Sequence, residues 1–206
     1  SNFDPNDFIG TTLEQVKRDG QTWAFPIIIQ PSVMWYDPNL FTQAGLPSPE
    51  QGWTIDAFRD ALQTLKGLQV KETDPVFVSG TYGNTYLLML IAAFGGVPYD
   101  YRTSPPTINF TDPTTIDAIR QTLDLAKEGY IGYGALFDNR MFSSVTEATI
   151  TDDVLAIPNW RLQERANPDS TLIPLRLANY PQGSQYTPVA YSVGAAYIRS
   201  TSQNPD

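Results

Sequence analysis

The sequence predicts one α/β domain, because segments of strand type alternate along it with segments of helix type. The strand-like segments are short and rich in β-branched residues, as at residues 27–29. Two helix-like segments begin with a capping residue followed by proline, at Asp37-Pro38 and again at Asp112-Pro113. The 206 residues are enough for one ordinary domain with a sizeable core.

Caps, glycines and prolines separate the predicted elements. Strands are predicted at residues 23–30, 76–78, 108–110, 154–157, 172–177 and 189–198. Helices are predicted at residues 8–18, 37–45, 54–65, 81–94 and 112–129. The apolar spacing predicts that the third helix buries Ile55, Phe58, Ala61, Leu62 and Leu65, and that the last buries Ile116, Ile119, Leu123 and Ala126.

The composition excludes several classes of function. With 22 acidic and 13 basic residues the chain has a net charge of −9 and no basic cluster, so we expect no nucleic-acid binding. It has no Cys and no His, which excludes disulfides, thiol nucleophiles, structural zinc and His-based triads. The longest apolar stretch, residues 86–96, is too short to span a membrane. We expect neither a metal site nor a cofactor.

Eight short motifs follow one another in a specific order. They are DGQTWAFP (residues 19–26), WYDPNLFTQAGL (35–46), WTIDAF (53–58), AFGG (93–96), NFTDP (109–113), LDLAKEG (123–129), VLAIPNW (154–160) and ANYPQG (178–183). In their order and spacing they resemble the family-1 extracellular solute-binding proteins of ABC importers, the maltose-binding-protein-like family. The resemblance runs from about residue 18 to the end. Asn159 departs from the family pattern, which commonly has glycine there.

The resemblance implies a fold and a domain organisation. Family members are about twice this length and have two lobes joined by hinge strands. The implied fold is a periplasmic-binding-protein type II lobe, with a mixed central sheet flanked by helices. Residues 1–25 then correspond to the end of the first lobe or a leader segment, residues 26–198 to the second lobe, and residues 199–206 to a truncated exit segment. Residues 27–30 and 192–198 correspond to the two hinge crossings.

The resemblance also implies a ligand site between the lobes, where sugars stack on aromatic side chains. The C–H face of a pyranose packs on a π face, and its hydroxyl rim needs fixed donors and acceptors. Trp160 is the first candidate, because it follows a predicted strand end and occupies the family's stacking position. Further candidates are Asn159, Tyr82, Asn84, Tyr86, Gln30, Ser32, Tyr36 and Tyr191. Trp53 and Trp23 are predicted to be structural.

Trp35 and Tyr36 are neighbours in an extended segment, so their side chains point to opposite faces. One of the two is expected in the core, and the other then lines the cleft. The adjacent acids Asp152 and Asp153 are interpreted as a solvated turn rather than as a catalytic pair.

The implied function is that of a substrate-binding protein of an ABC transporter, which binds a sugar or oligosaccharide by hinge closure and without catalysis. The implied partners are a sugar-like ligand and the membrane permease subunits. The protein is expected to be a monomer outside the cytoplasm, in the periplasm or as a cell-surface lipoprotein. Two alternatives stay open: a carbohydrate-active enzyme that uses acidic residues, and a sensor or adaptor module.

Overall fold

The computed structural model describes residues 4, 7–68, 75–78, 85–100, 102–103, 105–131, 150–151 and 176–203, and the structural statements below concern these residues. The chain divides into two compact units. We call the first the ribbon unit (Ser1–Ser32 with Ala190–Asp206) and the second the core unit (Val33–Val189).

The elements are short, and strands and helices alternate as predicted. The helices are α1 (Thr12–Gln15), α2 (Pro38–Gln43), α3 (Ile55–Lys66), α4 (Thr85–Ala93) and α5 (Pro113–Lys127), with a 3₁₀ turn at Pro49–Gln51. The strands are β1 (Lys17–Arg18), β2 (Gln21–Thr22), β3 (Phe25–Pro31), β4 (Met34–Tyr36), β5 (Phe77–Val78), β6 (Tyr99–Asp100), β7 (Thr107–Ile108), β8 (Ile150–Thr151), β9 (Arg176–Ala178) and β10 (Tyr191–Ala196).

The core unit contains a four-stranded mixed sheet in the order β5-β8-β4-β9. β5 and β8 run parallel, whereas β4 is antiparallel to both of its neighbours. The expected mixed sheet is therefore confirmed. In the central strand β4, Met34 and Tyr36 are buried and Trp35 is half-buried on the other face, which is the alternation that an extended segment imposes.

A continuous row of aromatic rings fills the core unit. Consecutive ring centroids lie 4.7 to 6.2 Å apart, and most pairs meet edge to face. Each such contact contributes about 0.5–1.5 kcal/mol beyond the area that it buries. The row consists of Tyr36, Phe41, Trp53, Phe58, Phe77 and Tyr86.

Trp53 confirms its predicted structural role. Its ring is only 9% exposed, and its indole N–H donates to the backbone carbonyl of Asn179 at 2.9 Å. The face of α3 that follows it is buried at the predicted positions.

The predicted helix boundaries are confirmed where a cap defines them. The side chains of Asp37, Thr54 and Asp112 each accept a hydrogen bond from a backbone N–H in the first turn of their helix. Gly45 and Gly129 follow the ends of α2 and α5 with positive φ angles of 68° and 75°, a conformation that glycine adopts without strain.

The predicted buried stripe of α5 is wrong by one position. Its buried face consists of Thr115, Ala118, Thr122, Leu125 and Ala126, so Ala126 is the one predicted member that is buried. Ile116 and Leu123 are 40% and 42% exposed. The cause is a close approach of Gly96, since a Cβ there would lie 2.7 Å from the Cβ of Ala118. The contact favours small side chains on the facing side of α5.

Other predicted elements differ in extent. The first predicted helix shrinks to α1, because the residues after it form the β1–β2 hairpin. The predicted strand at residues 108–110 is instead β7, which pairs with β6. The predicted strand at residues 154–157 lies outside the described residues.

None of the helices in the described ranges has the combined length and hydrophobicity that a membrane span requires.

Candidate functional site

The two segments that were assigned to the hinge crossings form one antiparallel ribbon. β3 and β10 pair so that Pro31 lies opposite Tyr191 and Gln30 lies opposite Ser192. The backbone N–H of Ser32 donates to the carbonyl of Ala190 at 2.8 Å and extends the pairing by one step. The strand predictions at both places are thereby confirmed, while their role as hinges stays a prediction.

A bulge interrupts the ribbon in its middle. Gly194 pairs with Ile28, but the next residue of β10 pairs with Pro26, which leaves Ile27 without an opposite residue. A Cβ on Gly194 would lie 2.3 Å from Cγ2 of Ile28. The packing therefore favours glycine at position 194, because the Ile28 side chain occupies the space beside it.

Gln30 lies on the exposed surface of the ribbon, as a ligand contact requires. Its Oε1 accepts a hydrogen bond of 3.4 Å from the hydroxyl of Ser192 on the neighbouring strand. The side chain of Ser32 is half-buried one residue beyond β3. Sequence reasoning missed Ser192, because its position opposite Gln30 depends on a pairing register between segments about 160 residues apart.

Tyr191 is 41% exposed at the start of β10. Its hydroxyl accepts a hydrogen bond of 2.7 Å from Nε2 of Gln15 in α1. Gln15 was also missed, since nothing in its local sequence marks it as a partner of a distant tyrosine.

Trp23, which was predicted to be structural, donates its indole N–H to the Arg18 carbonyl at 3.2 Å but leaves 63% of its surface exposed.

Tyr36 requires a correction, because the structure places it in the core. The side chain is 1% exposed, and its hydroxyl donates to Oε1 of Glu50 at 2.9 Å and lies 3.0 Å from the hydroxyl of Ser48. Burial raises the pKa of Tyr36 above its ordinary value. Of the adjacent pair, Tyr36 is therefore the core residue, and Trp35 is the less buried one.

The Glu50 carboxylate, in the 3₁₀ turn, joins strands β4 and β9 of the core unit. Its Oε1 also accepts from Nη1 of Arg176 at 3.1 Å. Hydrogen bonds from Tyr36 and then from Arg176 hold the pKa of Glu50 below its ordinary value. The cluster fixes the 3₁₀ turn against β9 and has a structural role.

Tyr86 is a second candidate that the structure places in the core. It is 2% exposed, and its ring packs edge to face on Phe77 at a centroid distance of 5.8 Å. The other candidates of the core unit, Tyr82, Asn84, Asn159 and Trp160, lie outside the described residues, as do Asp152 and Asp153. Their roles stay predictions.

No group of three or more acidic side chains within the described ranges is arranged to hold a metal ion.

No protein-family model matches the sequence, and no curated protein matches it. Solved structures do match the fold. An ABC substrate-binding protein from Listeria monocytogenes in complex with cycloalternan is 14% identical with a TM-score of 0.67; the match covers 98% of this chain and 50% of that one. The GacH receptor of Streptomyces glaucescens, solved unliganded and with acarbose, is 19% identical with a TM-score of 0.68, over 98% and 50% of the chains.

UgpB from Mycobacterium tuberculosis, in complex with glycerophosphocholine, is 18% identical with a TM-score of 0.68, over 97% of this chain and 50% of that one. The chain thus spans about half the length of the solved structures that it matches. At these identities the likeness establishes the fold. The chain has the fold of one half of an ABC solute-binding protein of periplasmic-binding-protein type II.

Proposed function

We propose that this chain is the greater part of one lobe of a substrate-binding protein that works outside the cytoplasm, binds a sugar or oligosaccharide and delivers it to an ABC permease. The observation that carries the proposal is the match of nearly the whole chain to about half of several binding proteins. The names of these proteins include maltose, acarbose, chitin oligosaccharide and mannitol, which are all polyhydroxylated compounds.

In the core unit, Trp160 is the proposed stacking residue. The indole face offers an apolar platform to the C–H groups of a sugar ring, and the amide of Asn159 offers a donor and an acceptor to the hydroxyl rim. Tyr82 and Asn84, which precede α4 in the sequence, are proposed to add polar contacts. Tyr36 and Tyr86 are left out of the proposed set, because both rings are buried.

In the ribbon unit, Gln30, Ser32 and Tyr191 are the proposed ligand contacts. The hydroxyl of Ser192 engages the amide oxygen of Gln30, so the amide nitrogen is the atom that Gln30 offers to a ligand hydroxyl. Ser192 therefore supports the contact by orienting the amide. Tyr191 is similarly oriented by Gln15, whose donation leaves the phenol proton for another acceptor.

The proposed mechanism is closure of two lobes about the strands that join them. A ligand that contacts both lobes binds the closed form better, and it shifts the equilibrium by that difference in affinity. The permease then distinguishes the closed form from the open one. No step requires bond chemistry, so the protein acts by binding alone.

The proposal implies a longer polypeptide, namely the whole substrate-binding protein of which this chain is a part. A thermal-shift screen of that longer polypeptide against sugars and polyols tests the proposal. A ligand that binds only the native state raises the melting temperature. At a ligand concentration of a hundred times Kd, it stabilises the native state by about 2.7 kcal/mol. Trp160→Ala should weaken the binding of the identified sugar at least tenfold, a loss of about 1.4 kcal/mol. Trp23→Ala is the matched control, because Trp23 is an exposed indole outside the proposed site.

Two results would contradict the proposal. One is the absence of any thermal shift across the sugar and polyol library. The other is equal loss of affinity in both tryptophan variants, which would indicate a general effect of the substitutions and not a stacking site at Trp160.

A further inference from the structure

The β6–β7 hairpin of the core unit turns its apolar side chains outward. Tyr99 lies opposite Ile108 and Asp100 lies opposite Thr107, so the members of each pair share one face of the hairpin. Tyr99 and Ile108 are 42% and 68% exposed. The side chain of Asp100, in contrast, is 16% exposed and accepts two hydrogen bonds from the Arg102 guanidinium, at 2.8 and 2.7 Å. The apolar face is thus the open one, and the charged group is the covered one.

Phe110 extends the open face into a patch. Its ring is 46% exposed and packs edge to face on Tyr99 at a centroid distance of 5.3 Å. We call Tyr99, Ile108 and Phe110 the hairpin patch. A single exposed apolar residue is ordinary, but a group of neighbouring ones marks a surface that something covers.

The turn beside the hairpin patch contains an acceptor sequence for N-linked glycosylation. Asn109-Phe110-Thr111 has the required Asn-x-Thr pattern with no proline in the middle, and the 206-residue sequence contains such a pattern once. The backbone N–H of Asp112 donates to the carbonyl of Asn109 at 3.2 Å, which closes a four-residue turn, and both Phe110 and Thr111 are exposed. The acceptor sequence therefore lies at the surface, where a bulky group can be attached.

The half-buried side chain of Asn109 is held in a defined orientation. Its Nδ2 donates to the carbonyl of Val97 at 3.3 Å, and its backbone N–H donates to the carbonyl of Pro98 at 2.9 Å. A primary amide has two hydrogens, so this contact uses one and leaves the other. A sugar that replaces the second hydrogen leaves the hydrogen bond to Val97 intact.

We infer that Asn109 carries an N-linked glycan whose first sugar packs on the hairpin patch. The C–H face of a sugar ring fits an apolar surface that includes aromatic rings. A glycan attached at Asn109 begins next to Ile108 and Phe110, so its attachment point places it beside the patch. The inference rests on the proposed location outside the cytoplasm, but not on the ligand that the protein binds.

The transfer requires a lipid-diphosphate-linked oligosaccharide as the second reactant. The amide nitrogen of Asn109 forms a bond to C1 of the first sugar, and the bond between C1 and the phosphate oxygen breaks. The lipid diphosphate leaves with the electron pair of that bond, and the displaced amide proton passes to solvent. The product amide retains one N–H donor.

Mass spectrometry of the protein purified from the organism that produces it tests the attachment. Trypsin cleaves after Arg102 and Arg120, so the peptide of residues 103–120 contains the acceptor sequence. The peptide should carry a glycan in the wild type and in Thr111→Ser, and none in Asn109→Gln or Thr111→Val. Thr111→Val leaves the hydrogen bonds of Asn109 in place, so it separates loss of the acceptor pattern from disturbance of the turn.

Melting temperatures test the packing on the hairpin patch. Thr111→Val should lower the melting temperature by about 2 °C more in protein from the natural organism than in protein from a host without the transferase, because only the first loses a glycan. Phe110→Ser keeps the acceptor pattern and should remove most of this difference.

Three results would overturn the inference. They are an unmodified peptide from the natural organism, a glycan that persists in Asn109→Gln, and equal effects of Thr111→Val in the two hosts. An unmodified protein that forms a dimer, with Ile108→Lys restoring the monomer, would also overturn it, since a second copy would then cover the patch. None of these measurements involves the bound sugar, so a failure of the proposed function is recognised separately by calorimetry.

Discussion

The hydroxyl of Tyr36 donates a hydrogen bond of 2.9 Å to the carboxylate of Glu50, and this contact joins the central strand of the sheet to the 3₁₀ turn that follows α2. The same carboxylate accepts from Arg176 in β9. A tyrosine that the sequence placed among the ligand contacts thus belongs to a buried polar cluster.

Tyr36→Phe should destabilise the protein without affecting ligand binding. The substitution retains the ring contact with Phe41, which lies 4.7 Å away, and removes only the hydroxyl. The expected loss is about 1 kcal/mol in the free energy of unfolding, the ordinary contribution of one hydrogen bond. Urea denaturation and titration calorimetry with the identified sugar measure the two effects. A tenfold loss of affinity at unchanged stability would return Tyr36 to the binding site.

The contribution of Glu50 should depend on pH with a definite sign. Its folded pKa is lowered, so its stabilising effect is fully present above the ordinary value of 4.5 and is lost as the pH falls through the lower folded value. Denaturation midpoints of the wild type and of Glu50→Gln should therefore differ at pH 7 and converge below pH 4.5. Glu14→Gln, at an exposed position of α1, is the control. A difference that grows toward acid pH would show that the sign is wrong.

Gly194→Ala should loosen the ribbon, because the new methyl group meets Cγ2 of Ile28 at 2.3 Å. Overpacking of this kind costs about 1–3 kcal/mol. Hydrogen exchange in β3 and β10 should accelerate, and Ile28→Ala in the same chain should restore part of the protection. Gly67→Ala is the matched control, since its nearest atom lies at an ordinary 3.4 Å. Unchanged exchange in Gly194→Ala would contradict the assigned packing.

The corrected face of α5 can be tested by a pair of substitutions. Ala118→Val should destabilise the protein by about 1–3 kcal/mol, because Ala118 is fully buried against Gly96. Ile116→Ser, at a 40% exposed position, should stay within about 0.5 kcal/mol of the wild type. Chemical denaturation measures both. The reverse order of the two effects would support the stripe that the apolar spacing predicts.

The local features of the fold were predictable from the sequence where one residue determines them. Asp37, Thr54 and Asp112 cap their helices because a short oxygen-bearing side chain before a helix meets free backbone N–H groups. The face of α5 was not predictable in the same way. Its orientation depends on the close approach of Gly96, a residue of another element, and apolar spacing does not record that contact.

The candidate site was likewise predictable only in part from the sequence. Gln30 and Tyr191 lie on exposed ribbon positions, and their ligand contacts stay predictions, whereas Ser192 and Gln15 were found only through the pairing of distant segments. Tyr36 was misassigned because alternation along a strand indicates that neighbours face opposite sides, without indicating which side is the core.

Titration calorimetry with one sugar against both the longer polypeptide and the 206-residue chain tests the central claim most directly. If the chain is one lobe of a sugar-binding protein, the longer polypeptide binds tightly, and the chain alone binds at least about a hundredfold more weakly because half of the contacts are missing. Equally tight binding by the 206-residue chain, or no sugar binding by the longer polypeptide, would contradict the claim.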